Sequence, residues 1–118
     1  MNPGTKACVA YITGRTISGR SSSHVFDYAR STFVNINGNI GTRVSVYDYE
    51  RCCHVAGSGG LQMRLYDYGT SGHVTVNIVG NGFKGYDYGT SSHFQGTVKG
   101  KAVKLYDYST STWHNYSL

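Results

Sequence analysis

The stretch Asp67-Tyr68-Gly69-Thr70-Ser71-Gly72-His73-Val74-Thr75-Val76-Asn77-Ile78-Val79-Gly80-Asn81-Gly82-Phe83-Lys84-Gly85-Tyr86 holds the reading of the whole chain. Val74, Val76 and Ile78 alternate with His73, Thr75 and Asn77, the period of a half-buried strand. Gly80-Asn81-Gly82 accepts positive φ and predicts a turn, and Phe83 to Tyr88 predicts the returning strand. Gly89-Thr90-Ser91-Ser92 then turns the chain again, so the unit is two antiparallel strands.

The unit recurs. All five aspartates stand in one dipeptide, Asp27-Tyr28, Asp48-Tyr49, Asp67-Tyr68, Asp87-Tyr88 and Asp107-Tyr108, at steps of 19 to 21 residues. A fixed period near 20 residues marks one supersecondary unit copied in series. The copies run 27–47, 48–66, 67–86 and 87–106, with a partial one at 107–118 and a degenerate one at 7–26. In that first copy Ala7 to Thr13 reads as a strand, Arg15 to Gly19 as a turn or short strand, and Ser23 to Tyr28 as a strand. Sixteen glycines, eleven tyrosines and one proline favour short strands and tight turns and leave little foothold for helix.

About ten short strands in an up-and-down meander cannot leave an apolar face bare. The expectation is therefore a single all-β domain over 1–118, closed into an antiparallel barrel or flattened barrel, with Val, Leu, Ile and Phe inside. An open repeat sheet with its edges paired in a dimer is the alternative.

Within each hairpin, pairing the second Tyr with the residue five places later sets Tyr68 against His73, Tyr88 against His93, Tyr49 against His54, Tyr28 against Phe33 and Tyr108 against Trp113. The same register sets Asp67 opposite Val74 and Leu65 opposite Val76, so one face is aromatic and the other carries aliphatics and aspartates. Asp27, Asp48, Asp67, Asp87 and Asp107 are expected as structural turn locks. A carboxylate at the start of a turn accepts hydrogen bonds from loop amides and from Thr70, Thr90, Thr110 or nearby serines. Five converging carboxylates also suggest calcium, but an Asp-x-Asp cluster within one loop is missing, and no metal is expected.

The aromatic face defines the candidate ligand-binding residues. Tyr47, Tyr66, Tyr86 and Tyr106 precede the aspartates and Tyr49, Tyr68, Tyr88 and Tyr108 follow them, with His54, His73, His93 and Trp113 beside the band. Arg64, Lys84 and Lys104 stand two residues before the first Tyr of their copies. Rings interleaved with cations suit an acidic glycan or cell-surface polymer, where modest repeated contacts add through effective concentration. The same band could join copies of the chain in a homo-oligomer, and single-stranded nucleic acid is the third candidate, without any recognised signature.

Catalysis has thin support. The His column becomes Phe33 and Trp113 in other copies, so it calls for a flat ring rather than a proton carrier, and no catalytic motif appears. A non-catalytic binding module without a cofactor is the expectation.

The hairpins are loosely similar to choline-binding cell-wall repeats and to membrane-occupation hairpin repeats, which are also aromatic-rich and of this length. The first family uses Gly-Trp and Tyr-Tyr pairs and the second Tyr-x-Gly with His-Gly-x-Gly. This chain has one Trp, and its Gly follows Asp-Tyr, so no functional residue is carried across.

A formal charge of +5 favours anionic partners. No apolar run reaches the ~20 residues of a membrane helix, and Met1 to Lys6 lacks the layout of a secretory signal, so a soluble chain is expected. Cys8, Cys52 and Cys53 cannot all pair internally, which leans towards a reducing compartment, and Cys52-Cys53-His54 is poorly spaced for zinc.

Overall fold

The computed structural model describes all 118 residues. It opens with a helix, α1 (Pro3–Ser18), followed by β1 (His24–Asp27), β2 (Thr32–Ile40), β3 (Arg43–Asp48), β4 (Cys53–Ser58) and β5 (Gln62–Asp67). The second half is β6 (Gly72–Val79), β7 (Gly82–Asp87), β8 (Ser92–Lys99), β9 (Ala102–Asp107) and β10 (Thr112–Ser117). Each strand pairs antiparallel with its neighbours in sequence, and β1 pairs β10 through Phe26 with Ser117 and Asp27 with Tyr116. The ten strands thus form a closed up-and-down barrel, which leaves no bare edge.

The strands are where the alternation places them, but α1 corrects the reading of the first copy. Ala7 to Thr13 is not a strand. All seven of those residues are buried, as are Gly4, Thr5, Lys6 and Gly14, so the segment is covered on every side. A wall strand buries one face; a segment buried all round must lie inside something, and the lumen of the barrel is the only enclosure. Capping fixes its ends. Asn2 Oδ1 accepts from the Gly4 amide at 2.8 Å, Pro3 occupies the first turn, and Gly19 takes φ 70 and donates to the Arg15 carbonyl. Thr13, Thr16 and Ser18 hydroxyls donate to the carbonyls of Val9, Ile12 and Gly14 at 2.6–2.7 Å, which satisfies them within the helix.

Small residues let the helix and wall approach. A Cβ on Gly14 would press on Val103 and Leu118, and one on Gly4 would overlap the Arg51 side chain. Around the helix, Val34, Ile36, Val46, Leu65, Val76, Phe94 and Leu105 are among the inward side chains of a single core. β1, β3, β5, β7 and β9 each end on a motif aspartate, so all five carboxylates stand at one rim. Helix α1 begins at that rim and ends at the other, from which β1 starts back.

The hairpin register differs by two residues from the one the sequence suggests, with the loop still four residues long. Asp67 pairs with Gly72, Tyr66 with His73 and Leu65 with Val74, and the equivalents hold for Tyr47 with His54, Tyr86 with His93 and Tyr106 with Trp113. The loop therefore includes the second Tyr, as Tyr68-Gly69-Thr70-Ser71, and closes on a left-handed fourth residue. Ser31, Cys52, Ser71, Ser91 and Ser111 all have φ between 51 and 55°. A shift of two keeps every side chain on its own face, because the strand period is two.

Candidate functional site

Inside the carboxylate rim four of the five aspartates serve two sets of partners, while Asp87 meets only the Gly89 amide. Each Oδ1 accepts from the amide two residues on, at 2.9–3.0 Å: Ala29, Glu50, Gly69, Gly89 and Ser109. The second oxygen faces elsewhere. Asp27 meets Arg30 Nε at 2.8 Å, and Asp48 meets Arg51 Nε at 2.6 Å. Arg51 also reaches Asp67 at 3.0 Å, so one guanidinium joins two hairpins. The helix completes the set: Thr5 Oγ1 donates to Asp67 at 2.6 Å, and the Met1 amine and Lys6 Nζ stand 3.4 and 3.6 Å from Asp107. The positive end of α1 thus points at the carboxylates, the favourable orientation for its dipole. The loop threonines do not serve the carboxylates as expected. Thr70 gives its amide, the Thr90 hydroxyl is hydrogen-bonded with that of Ser92, and Thr110 gives its hydroxyl to the Asp107 backbone, while Ser109 Oγ does reach the Asp107 side chain at 2.6 Å.

The latch sets several proton affinities. Burial, and then the Asp48 charge, push the Cys8 thiol well above its usual range, so it stays protonated and donates to Asp48 at 3.6 Å. Burial opposes ionisation of Asp107, but the Ser109 hydroxyl and amide, the Met1 amine and Lys6 outweigh it and lower its pKa. His114 Nε2 stands 3.1 Å from Lys6 Nζ, and burial followed by that ammonium holds its pKa below the usual 6.5. Both folded values are depressed. Each contribution is then full above the unfolded value and is lost as pH falls through the folded one. The urea midpoint should fall in two steps on acidification, below about 6.5 and again below about 3.8. His114→Asn should erase the first step alone; a first step that survives in that variant would refute the assignment to His114.

The outer wall near this rim carries a girdle of aromatic clusters, one on each hairpin. In the four later copies the first Tyr sits edge-to-face between the second Tyr and the ring across the strand: Tyr47 between Tyr49 and His54, Tyr66 between Tyr68 and His73, Tyr86 between Tyr88 and His93, and Tyr106 between Tyr108 and Trp113. Centroids are 4.6–5.1 Å apart. In the first copy Phe26 takes that place, against Tyr28 and Phe33. The second tyrosines remain 50–60% exposed, with a free ring face.

Successive hairpins meet so that this free ring overhangs a groove. The Tyr88 amide donates to the His73 carbonyl at 2.9 Å, and the Tyr108 amide to the His93 carbonyl at 3.1 Å. One groove of about 470 Å³ is lined by Arg64, His73, Thr75 and Tyr88. The next, about 490 Å³, is lined by Lys84, Tyr86, His93, Gln95 and Tyr108. Lys104, Tyr106 and Trp113 repeat the cation and rings one step further round. Arg64, Lys84 and Lys104 meet no carboxylate, since the six ion pairs involve only Met1, Lys6, Arg30 and Arg51 as cations.

The aromatic and cationic residues singled out from the sequence therefore share one outer surface, and the aspartates share the inner rim. Sequence reasoning missed Thr5, Lys6, Arg30 and Arg51 as partners of the carboxylates, and Phe26 as a member of the girdle. The signal for Arg30 and Arg51 was their equal spacing, three residues after Asp27 and Asp48. Cys52 is exposed on a turn and Cys53 half-buried, and neither is bonded to another cysteine. Compared with protein-family models, with curated proteins and with solved structures, the chain matches none.

Proposed function

We propose that this barrel is a non-catalytic binding module whose outer grooves take a repetitive acidic polymer, in the first place a polysaccharide. The observation that carries the reading is the recurrence of one groove, a cation, a histidine and an overhanging tyrosine, with Arg64 and Lys84 twenty residues apart. Neighbouring grooves are two strands apart, roughly 10 Å from strand spacing alone. A polymer with charges repeated on that scale engages several weak sites at once and gains by effective concentration. Exposed tyrosine faces stack on the apolar face of a sugar ring, while the unpaired cations select carboxylate or sulfate substituents. The half-exposed girdle supports a second reading, self-association through the same rings.

The test is binding to dextran sulfate and polygalacturonate, with neutral dextran for comparison, alongside light scattering. The double variant Tyr88→Ala/Tyr108→Ala should lose roughly tenfold or more in affinity for the acidic polymers, as anchoring aromatics do, and remain a folded monomer. Unchanged affinity would remove the polymer reading. A wild-type oligomer that the double variant dissolves would put self-association in its place.

A further inference from the structure

Charge is divided along the barrel axis. Every acidic side chain, the five aspartates and Glu50, lies at the carboxylate rim, where Lys6, Arg30 and Arg51 are also spent. Eight of the eleven Lys and Arg remain without a carboxylate partner. Five of them stand towards the opposite rim: Arg15 near the end of α1, Arg20 in the link to β1, and Arg43, Lys99 and Lys101 at the hairpin ends there.

Two of these five share a hollow. Between the end of α1 and the loops at 41–42 and 59–61 lies a space of about 450 Å³ lined by Arg15, Thr16, Arg20, Ser21, Thr42 and Gly60, among others. Arg15 is held in place by Nη1, which donates to Tyr11 Oη at 3.0 Å and to the Gly38 carbonyl at 3.1 Å, and by the Tyr11 ring 5.4 Å below it. Its Nε is enclosed with no acceptor. The protein supplies this half-buried guanidinium with neutral partners only, and no counter-charge. Arg20 is exposed at the edge of the same hollow, and three hydroxyl side chains complete its lining.

We propose that this hollow binds a tetrahedral oxyanion, a phosphate or sulfate group, between Arg15 and Arg20. An oxyanion gives both guanidiniums the multidentate acceptor they lack and accepts further bonds from the Ser21 or Thr42 hydroxyl. One feature opposes it: the C-terminal end of α1 points at this rim with a partial charge of roughly −0.5. Gly19 already caps the Arg15 carbonyl there, and two full positive charges outweigh half a negative one. Leu118 lines a neighbouring hollow with Arg20 and Lys101, and its carboxylate forms no ion pair with either. The site is remote from the aromatic grooves and independent of the polymer reading.

Inorganic phosphate and methyl phosphate, titrated into the whole chain at constant ionic strength and followed by amide NMR, test it. Saturable shifts confined to residues 15–21, 41–42 and 60 are expected, and should weaken about tenfold in Arg20→Gln, the loss of one charge-assisted hydrogen bond of about 1.4 kcal/mol. Lys99→Gln, outside the hollow, should bind as the parent does. Binding of orthophosphate alone assigns the hollow to the free ion, and binding of the ester as well assigns it to a group carried on a larger molecule. Shifts spread evenly over Arg43, Lys84, Lys99 and Lys104, or an Arg20→Gln variant that titrates like the parent, would overturn the proposal. Since Arg20 is exposed and makes no side-chain hydrogen bond, loss of fold does not cloud the result.

Discussion

Replacing Arg51 by Met is expected to lower unfolding stability by about 3–5 kcal/mol, the cost of leaving buried charge without its partner. The carboxylates of Asp48 and Asp67 have no solvent exposure, and the Arg51 side chain is only 15% exposed. Its removal strands two charges, because Asp67 keeps only Thr5 and its loop amides, and Asp48 only Cys8 and its own. Adding Asp48→Asn and Asp67→Asn to the same chain should restore much of the loss, since amide oxygens still accept from the loops and neither position then buries a charge. Arg30 provides the contrast. Its side chain is 33% exposed and pairs with the equally open Glu50 and with the buried Asp27, so Arg30→Met strands one buried charge where Arg51→Met strands two, and should cost less. Urea denaturation of the series decides it: equal small losses for Arg51→Met and Arg30→Met would mean that the rim does not latch the helix.

Removing residues 1–18 should abolish cooperative unfolding altogether. Tyr11, Ile12, Ala7 and Ala10 are fully buried within the lumen, and the wall side chains that surround them would face a void or water. Even one large core truncation costs about 3–5 kcal/mol, a substantial part of the 5–15 kcal/mol by which a domain is stable, so a whole missing helix exceeds the margin. The truncated chain should lose its near-ultraviolet circular dichroism and bind a hydrophobic dye, and a peptide of residues 1–19 added in trans should reverse both. A truncated chain that still melts sharply with its aromatic signal intact would show that the wall supports itself.

The wall was legible because its evidence is periodic. Val74, Val76 and Ile78 against His73, Thr75 and Asn77 fix which face is which, and the lack of any partner for the apolar face calls for closure. The exact register was not legible. It depends on Ser71 and its equivalents adopting positive φ, which serine seldom does and which no composition rule anticipates. The error was two residues, so the sorting of Tyr66 and His73 outward and Asp67 and Leu65 inward survived it. The helix was hidden for a different reason. A segment surrounded by wall has no polar face, so Ala7 to Thr13 carries no clear helical period, and its apolar residues pass as a strand. The local signals were present in Asn2-Pro3 and Gly19. Of the candidate site, membership of the girdle could be read from the columns of the repeat. The grooves could not, because each joins Tyr88 or Tyr108 to the histidine of the preceding hairpin, a contact set by stagger between units rather than by sequence within one.

A chain of this kind looks free to grow or shrink by whole hairpins, as open repeat arrays do. Closure around α1 removes that freedom. In an open array each added unit touches only its neighbours, but in a barrel every added pair of strands widens the bore for all of them. With eight strands the inward side chains alone fill such a bore, leaving no passage for a helix, and with twelve the same helix would rattle in it. The ten strands seen here are matched to the girth of a helix faced with Gly4, Ala7, Ala10 and Gly14. Copy number and helix girth are therefore inherited as one trait: duplication of a 20-residue unit would have to be answered by bulkier residues on the helix in the same lineage.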